Sequence, residues 1–194
     1  HVRYATAGSG STDNIQPFIF RFSDGDMALA HNGNLTNCPT LRRELESQGA
    51  IFRSNSDTEV LMHLIRRSEQ PTFVDKLKEA LNTVHGGFAY LLMTENAMIG
   101  ALDPNGFRPL SLGRMTNGAY VLASETCALD IVGAELVRDI RPGEIQTGIL
   151  ISKESSWWWT TTATASTPTP TRPSWRSARW SSSTSRVPIP TSTA

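Results

Sequence analysis

Four short polar blocks stand out, because neither a strand nor a helix needs their residues. They are "HVRYATAG" with Arg3 and Thr6, "AHNGNL" with Asn32 and Gly33, "SNSDTE" with Asp57, and "DPNGFRPL" with Asp103, Asn105 and Arg108. Between them they offer guanidinium groups, a side-chain amide beside a glycine, and carboxylates. Such groups can pair with charge and donate hydrogen bonds to a small polar substrate. Each also has a bland reading. Asn-Gly is a common hairpin turn. An aspartate in a first helical turn compensates the helix dipole. A lone arginine is usually a solvated charge, and "DPNG" is strong turn chemistry. Taken singly, none of the four identifies a function.

Other reactive types add little. His31, His63 and His85 are not spaced like a metal site. Two cysteines, Cys38 and Cys127, make neither a disulfide framework nor a metal motif and read as thiols in a reducing cytosol.

The elements that must hold these blocks are legible from period and punctuation. Residues 17–22 alternate as a strand, and residues 27–33 read as a second strand ending in a tight glycine turn. Three helices follow. The first spans residues 38–50, with Pro39 in its first turn, Leu41 and Leu45 as an i,i+4 pair, and Gly49 at its end. The second spans residues 56–69, with Ser56 and Glu59 fitting a capping box and Val60, Leu61, Leu64 and Ile65 forming a stripe. The third spans residues 72–84, with Phe73, Leu77 and Leu81 on one face. The period then changes to short strands at 87–95, 97–103, 109–114 and 119–125, a helical turn at 127–133, and two strands around Pro142-Gly143. Strands, then helices, then strands predict an α+β fold with largely antiparallel sheets.

Composition excludes some classes. The 194 residues suit one domain with a tail, and the formal net charge is zero. Residues 1–156 carry 14 Lys and Arg against all 18 Asp and Glu, so this body is mildly acidic and offers no footprint for nucleic acid. No apolar run is long enough to span a membrane, and no signal peptide opens the chain. A cytoplasmic protein is expected.

In this order the blocks resemble the glutaminase domain of the class II glutamine amidotransferases. "HVRYATAG…NIQPF", "LAHNGNL" and "SDTEVLMHLI" carry the superfamily pattern, and "GALDPNGFRPLSLG" with "VLASETCALDIVGAELVRDIRPGEI" narrows it to the amidophosphoribosyltransferases. The resemblance covers residues 1–153. It implies the four-layer αββα sandwich of the N-terminal nucleophile hydrolases, here lacking its first strands. It also implies roles. An N-terminal cysteine thiolate, with its own α-amine as base, attacks the side-chain amide of glutamine. The Asn32 amide and the Gly33 N–H would donate to the oxyanion. Arg3 would pair with the α-carboxylate of glutamine, Asp57 with its α-ammonium, and Thr6 belongs to the same substrate-binding set. Released ammonia would displace pyrophosphate from phosphoribosyl pyrophosphate and give 5-phosphoribosylamine, the first step of purine synthesis. In the intact enzyme, Mg would serve the phosphoribosyltransferase site, some members carry a 4Fe-4S cluster, and a homo-oligomer is expected; this fragment would hold no cofactor.

The resemblance also marks what this chain lacks. The nucleophilic cysteine would precede "HVRY", and the phosphoribosyltransferase domain would follow. The chain opens at His1 like a domain entered in the middle, so it is expected to hydrolyse no glutamine by itself. The alternatives are another class II amidotransferase, against which the two later blocks argue, and a glutamine-binding or regulatory domain without a nucleophile.

Residues 154–194 read differently. All five tryptophans lie at or after Trp157, and residues 157–194 hold 18 Ser and Thr and five Pro but no Leu, Phe, Tyr, Gly, Asp or Glu. Trp has a single codon, so Trp157, Trp158 and Trp159, read one base earlier, force two valines after Val, Leu or Met. Permissible codons for the rest then allow strand-like runs and an ending similar to the block that follows this core in the resembled family. The expectation is a frameshifted, disordered tail with the slip near Ser155 or Ser156; a genuine Ser/Thr/Pro tail is the alternative.

Overall fold

Alternation of large apolar and polar residues makes the first two strands, and three amphipathic helices follow them. The computed structural model describes residues 12–23 and 25–149, and the backbone of three strands beyond them. Arg3, Thr6 and most of residues 150–194 lie outside the described residues.

After a single 3-10 turn at Thr12–Asn14 come β1 (Phe18–Phe22) and β2 (Gly25–Leu35). Helices α1 (Cys38–Ser47), α2 (Thr58–Arg67) and α3 (Phe73–Thr83) follow, then β3 (Gly86–Thr94), β4 (Ala97–Leu102), β5 (Ser111–Met115) and β6 (Tyr120–Ala123). The order closes with α4 (Thr126–Val132), β7 (Ala134–Asp139), β8 (Glu144–Ile149), β9 (Trp158–Ala165), β10 (Trp180–Ser181) and β11 (Ser185–Arg186).

The strands form two antiparallel sheets. The large sheet runs β1-β2-β3-β4-β8-β9-β10, with β11 also on β9, and the small one runs β6-β5-β7. Helices α1 to α3 cover one face of the large sheet, where Leu45, Leu61, Ile65 and Leu77 meet Leu29, Phe88 and Leu92. Its other face packs on the small sheet through Ala89, Leu102, Leu112 and Leu122. Helix α4 covers the outside of the small sheet, with Leu129 against Ala123 and Ala134. The layers are therefore α, β, β, α, as expected. Each fully buried leucine in these interfaces contributes roughly 1.5–3 kcal/mol.

Two local expectations are corrected. Asn32-Gly33 is not a turn. Strand β2 continues to Leu35, and Gly33 pairs with Phe88 of β3. The ladder wins over the local turn preference because the chain reverses through helices rather than at the dipeptide. The Ser56–Glu59 capping box does not form either. Asp57 is the N-cap of α2, and Glu59, only 2% exposed, turns back to accept from the backbone N–H of Arg53 and Ser54 at 2.9 Å each. Beyond these, the Trp158–Ala165 backbone forms a strand. Trp158–Ala165 pairs antiparallel with β8, from Ile149↔Trp158 to Glu144↔Thr164. The open edge of β8 supplies unpaired backbone groups, and β-branched Thr160, Thr161, Thr162 and Thr164 suit an extended chain.

The chain crosses between the sheets twice, after β4 and again after β7. The two crossings are tied together. Gly143 N donates to Asp103 O at 2.9 Å, and Ile140 N donates to Leu110 O at 2.8 Å. A bidentate ion pair spans the sheets nearby. Arg138 of β7 donates to both carboxylate oxygens of Glu144 of β8, at 2.9 and 2.6 Å, and to Gln146 Oε1 at 2.7 Å.

Candidate functional site

The geometry centres on the hairpin-like ladder of β2 and β3. At Gly33 φ is +151°, and a Cβ there would stand 2.1 Å from the Gly87 carbonyl oxygen and 2.8 Å from Phe88 Cα. Across the ladder Gly86, with φ of +143°, would place a Cβ 2.1 Å from Asn34 O. Both contacts are with backbone, so only glycine fits at either position. The strand alternation buries His31 and Leu35 and exposes Asn32. The Asn32 side-chain amide has no hydrogen-bond partner among the described residues. An exposed donor amide therefore stands directly before a glycine whose backbone is held in one unusual conformation.

Asp57 is brought to the buried side of the same three residues. Its Oδ2 accepts from Leu35 N at 2.9 Å, and its Oδ1 lies 3.4 Å from His31 Nδ1. Burial alone would raise its pKa. The hydrogen bond and charge of His31, with the N–H groups of Leu35 and Thr58, outweigh burial and hold the carboxyl below its ordinary value. Asp57 is thus an ionised carboxylate whose position is set by β2.

His31 was not singled out from sequence, yet it links Asp57, Thr58, Tyr90 and Gln16. Its side chain is 1% exposed. Nδ1 also lies 3.2 Å from Thr58 Oγ1, the ring stacks on Tyr90 at 4.3 Å, and its backbone N donates to Gln16 Oε1 at 2.7 Å. Gln16 Nε2 in turn donates to Thr58 Oγ1 at 3.2 Å. The available signal was its inward position in an alternating strand, where a polar ring needs partners.

The "DPNG" block is structural. Asp103 is fully buried, and its carboxylate accepts from the N–H groups of Phe88, Asn105 and Phe107 at 2.9 to 3.2 Å. Phe88 is the register partner of Gly33, so this buried carboxylate braces the strand opposite the glycine. Asn105 and Arg108 are exposed on the crossing loop. Arg108 lines a cleft of about 440 Å³ with Glu125 and Asp139. A larger cavity, about 560 Å³, lies at the far end of β2 beside Met27 and Thr94.

Neither thiol is poised for attack. Cys38 is half-buried in the first turn of α1, and burial with the nearby Asp57 charge pushes its thiol up against the effect of Arg42. Cys127 is exposed, with Sγ 3.6 Å from Glu125 Oε2. Among the described residues no group of three or more His, Cys, Asp and Glu side chains is arranged to hold a metal ion. No described helix is long and apolar enough to cross a membrane.

Known proteins are similar to this chain in sequence and fold. An amidophosphoribosyltransferase of Staphylococcus epidermidis is 57% identical over 144 residues, covering 74% of this chain. One of Bacillus subtilis is 57% identical over 146 residues, covering 75% of it. The chain spans only 29% and 30% of the lengths of these relatives. Among solved structures, one described as the allosteric regulatory enzyme of purine biosynthesis superposes with a TM-score of 0.72 at 55% identity, over 76% of this chain and 32% of its own. The glutamine phosphoribosylpyrophosphate amidotransferase of B. subtilis, complexed with ADP and GMP, gives 0.71 at 47% identity, over 84% of this chain and 35% of its own. The family described as "Glutamine amidotransferase domain" matches residues 1–130, two thirds of the sequence. With the αββα layers and this ladder geometry, that match makes the chain a member of the glutamine amidotransferase domain family.

Proposed function

We propose that this chain is the glutamine-handling part of an amidophosphoribosyltransferase. The activity is the transfer of the glutamine amide nitrogen, as ammonia, to phosphoribosyl pyrophosphate, with loss of pyrophosphate and formation of 5-phosphoribosylamine. The observation that carries the reading is the pairing of an exposed Asn32 amide, without a hydrogen-bond partner among the described residues, with a glycine that nothing else can replace.

In this reading a cysteine thiolate attacks the carboxamide carbon of glutamine, and the carbonyl oxygen becomes an oxyanion. The Asn32 amide and the Gly33 N–H donate to that oxyanion. Loss of one such donor typically costs about 10²–10³ in turnover. Asp57, held ionised, meets the α-ammonium, while Arg3 takes the α-carboxylate and Thr6 supports it. The two opposite charges decide which end of glutamine faces the thiolate. The nucleophile is an N-terminal cysteine, which neither Cys38 nor Cys127 is. Magnesium for the phosphoribosyl transfer and any 4Fe-4S cluster belong, in this proposal, to parts of the enzyme outside these residues. The intact protein is cytoplasmic and homo-oligomeric.

The chain alone is therefore expected to bind glutamine without hydrolysing it. Calorimetric titration with glutamine, with phosphoribosyl pyrophosphate as the control, tests this. Saturable one-to-one binding of glutamine alone supports the reading; no glutamine binding by the folded chain refutes it.

A further inference from the structure

Asp57 has more donors than a carboxylate at a helix start needs. A carboxylate offers about four lone-pair positions. The Leu35 N–H, at 2.9 Å from Oδ2, and the His31 ring, at 3.4 Å from Oδ1, face two of them. Positions are left for a ligand, and their direction depends on how the carboxylate is turned about its own bond. The contact that sets the rotation of Oδ1 is His31 Nδ1, at 3.4 Å.

The imidazole is itself fixed from three sides. Thr58 Oγ1 stands 3.2 Å from the same nitrogen, the Tyr90 ring stacks on it with planes 20° apart, and its side chain is 1% exposed. An ionised carboxylate can only accept, and Nδ1 is the ring nitrogen that faces it. His31 also precedes Asn32 and Gly33 directly in β2. A single three-residue span thus reaches the carboxylate on one side of the strand and the amide on the other.

We infer that His31 is a positioning residue: it turns the Asp57 carboxylate toward the α-ammonium of glutamine, and its place in β2 sets that end of the ligand relative to Asn32 and Gly33. The inference rests on the glutamine reading above. It does not make His31 a catalytic residue, because the ring is buried behind the strand and touches Asp57 rather than substrate.

The test is ligand discrimination. Glutaramate is glutamine without its α-ammonium. The full 194-residue chain is titrated with both by calorimetry, alongside His31→Asn, His31→Gln and His31→Phe, with circular dichroism and thermal melts run on each. Asn places an amide donor where Nδ1 stands, whereas Gln carries the same amide one methylene further. The unmutated chain is expected to prefer glutamine by about tenfold or more, the worth of a charge-assisted contact. H31N should keep that preference, and H31Q and H31F should lose most of it while still binding glutaramate as before. A role in packing alone would weaken both ligands together in all three variants, and that result overturns the inference. Preference retained in a folded H31Q also overturns it and leaves the glutamine reading standing. If the unmutated chain binds neither ligand, both fall. If H31F does not fold, the comparison of H31N with H31Q decides.

Discussion

Gly33 and Gly87 approach so closely that a Cβ on Gly33 would lie 2.1 Å from the Gly87 carbonyl oxygen. Backbone on both sides of the contact leaves no flexible side chain to yield. Gly33→Ala is expected to destabilise the chain by about 3 kcal/mol, through a strained φ and a displaced ladder. Urea denaturation would read the shift in midpoint. Glutamine binding should be lost even where the variant remains folded, because the N–H of residue 33 moves with the strand. An alanine variant of wild-type stability would show that β2 and β3 are further apart than described.

The sandwich itself was legible, and the site was half legible. Helix periodicity was readable because Leu41, Leu45, Leu77 and Leu81 repeat at the spacing that buries one face, and all four are buried. Asn32-Gly33 misleads at the local level: the dipeptide favours a turn, but the eleven-residue strand runs through it. Glu59 misleads in the same way, because a capping box is a local pattern and its carboxylate serves the loop before the helix. His31 could not be recognised alone, since its role depends on Asp57 of another element. The two crossings between sheets were equally hidden. Pro142-Gly143 looks like a hairpin turn, yet β7 and β8 belong to different sheets.

The ion pair between the sheets gives a second prediction. The Glu144 side chain is 1% exposed and the Arg138 side chain 33% exposed. Arg138→Ala leaves a buried carboxylate with the Arg141 N–H, at 2.8 Å, as its remaining close donor among the described residues. Such uncompensated charges cost about 3 kcal/mol or more. Arg138→Met combined with Glu144→Leu should be milder, since both charges go together. Chemical denaturation of the two proteins checks the order, and a double variant less stable than the single one would contradict it.

His63 predicts a pH dependence. Burial is the main cause that lowers its pKa, followed by Glu59, which opposes the shift, and by Arg67 and Arg42, which add to it, while the Ile51 carbonyl also opposes. A depressed histidine binds its proton more weakly folded than unfolded. Stability should therefore be complete above the ordinary value of 6.5 and fall as pH drops below it. Asp57 contributes in a separate, lower window. Its folded pKa lies below the ordinary 3.8, so its stabilisation is present above that value and lost as pH falls further. Thermal melts between pH 7 and pH 5 isolate the first effect. His63→Gln should flatten that slope, and an unchanged slope would assign it to another group.

Asp103 carries the last prediction. Oδ2 accepts from Phe88 N at 3.2 Å and Phe107 N at 3.0 Å, and Oδ1 accepts from Asn105 N at 2.9 Å and Phe107 N at 3.2 Å. Asparagine is nearly the same size, but half of its amide is a donor. Wherever the NH₂ points, it faces backbone N–H groups that also donate. Asp103→Asn should thus cost roughly 2–3 kcal/mol, the penalty for leaving buried donors unpaired. The consequence for the site depends on which way the amide turns. If the NH₂ replaces Oδ2, Phe88 is pushed away, and Phe88 is the register partner of Gly33. Glutamine affinity should then fall together with stability, although Asp103 never meets the ligand. If the NH₂ replaces Oδ1, the turn at Asn105 loosens and affinity stays near that of the unmutated chain. Amide exchange at Phe88 and Asn105 distinguishes the two. Loss of stability with neither amide exposed would mean that the carboxylate is not what holds the end of β3 in place.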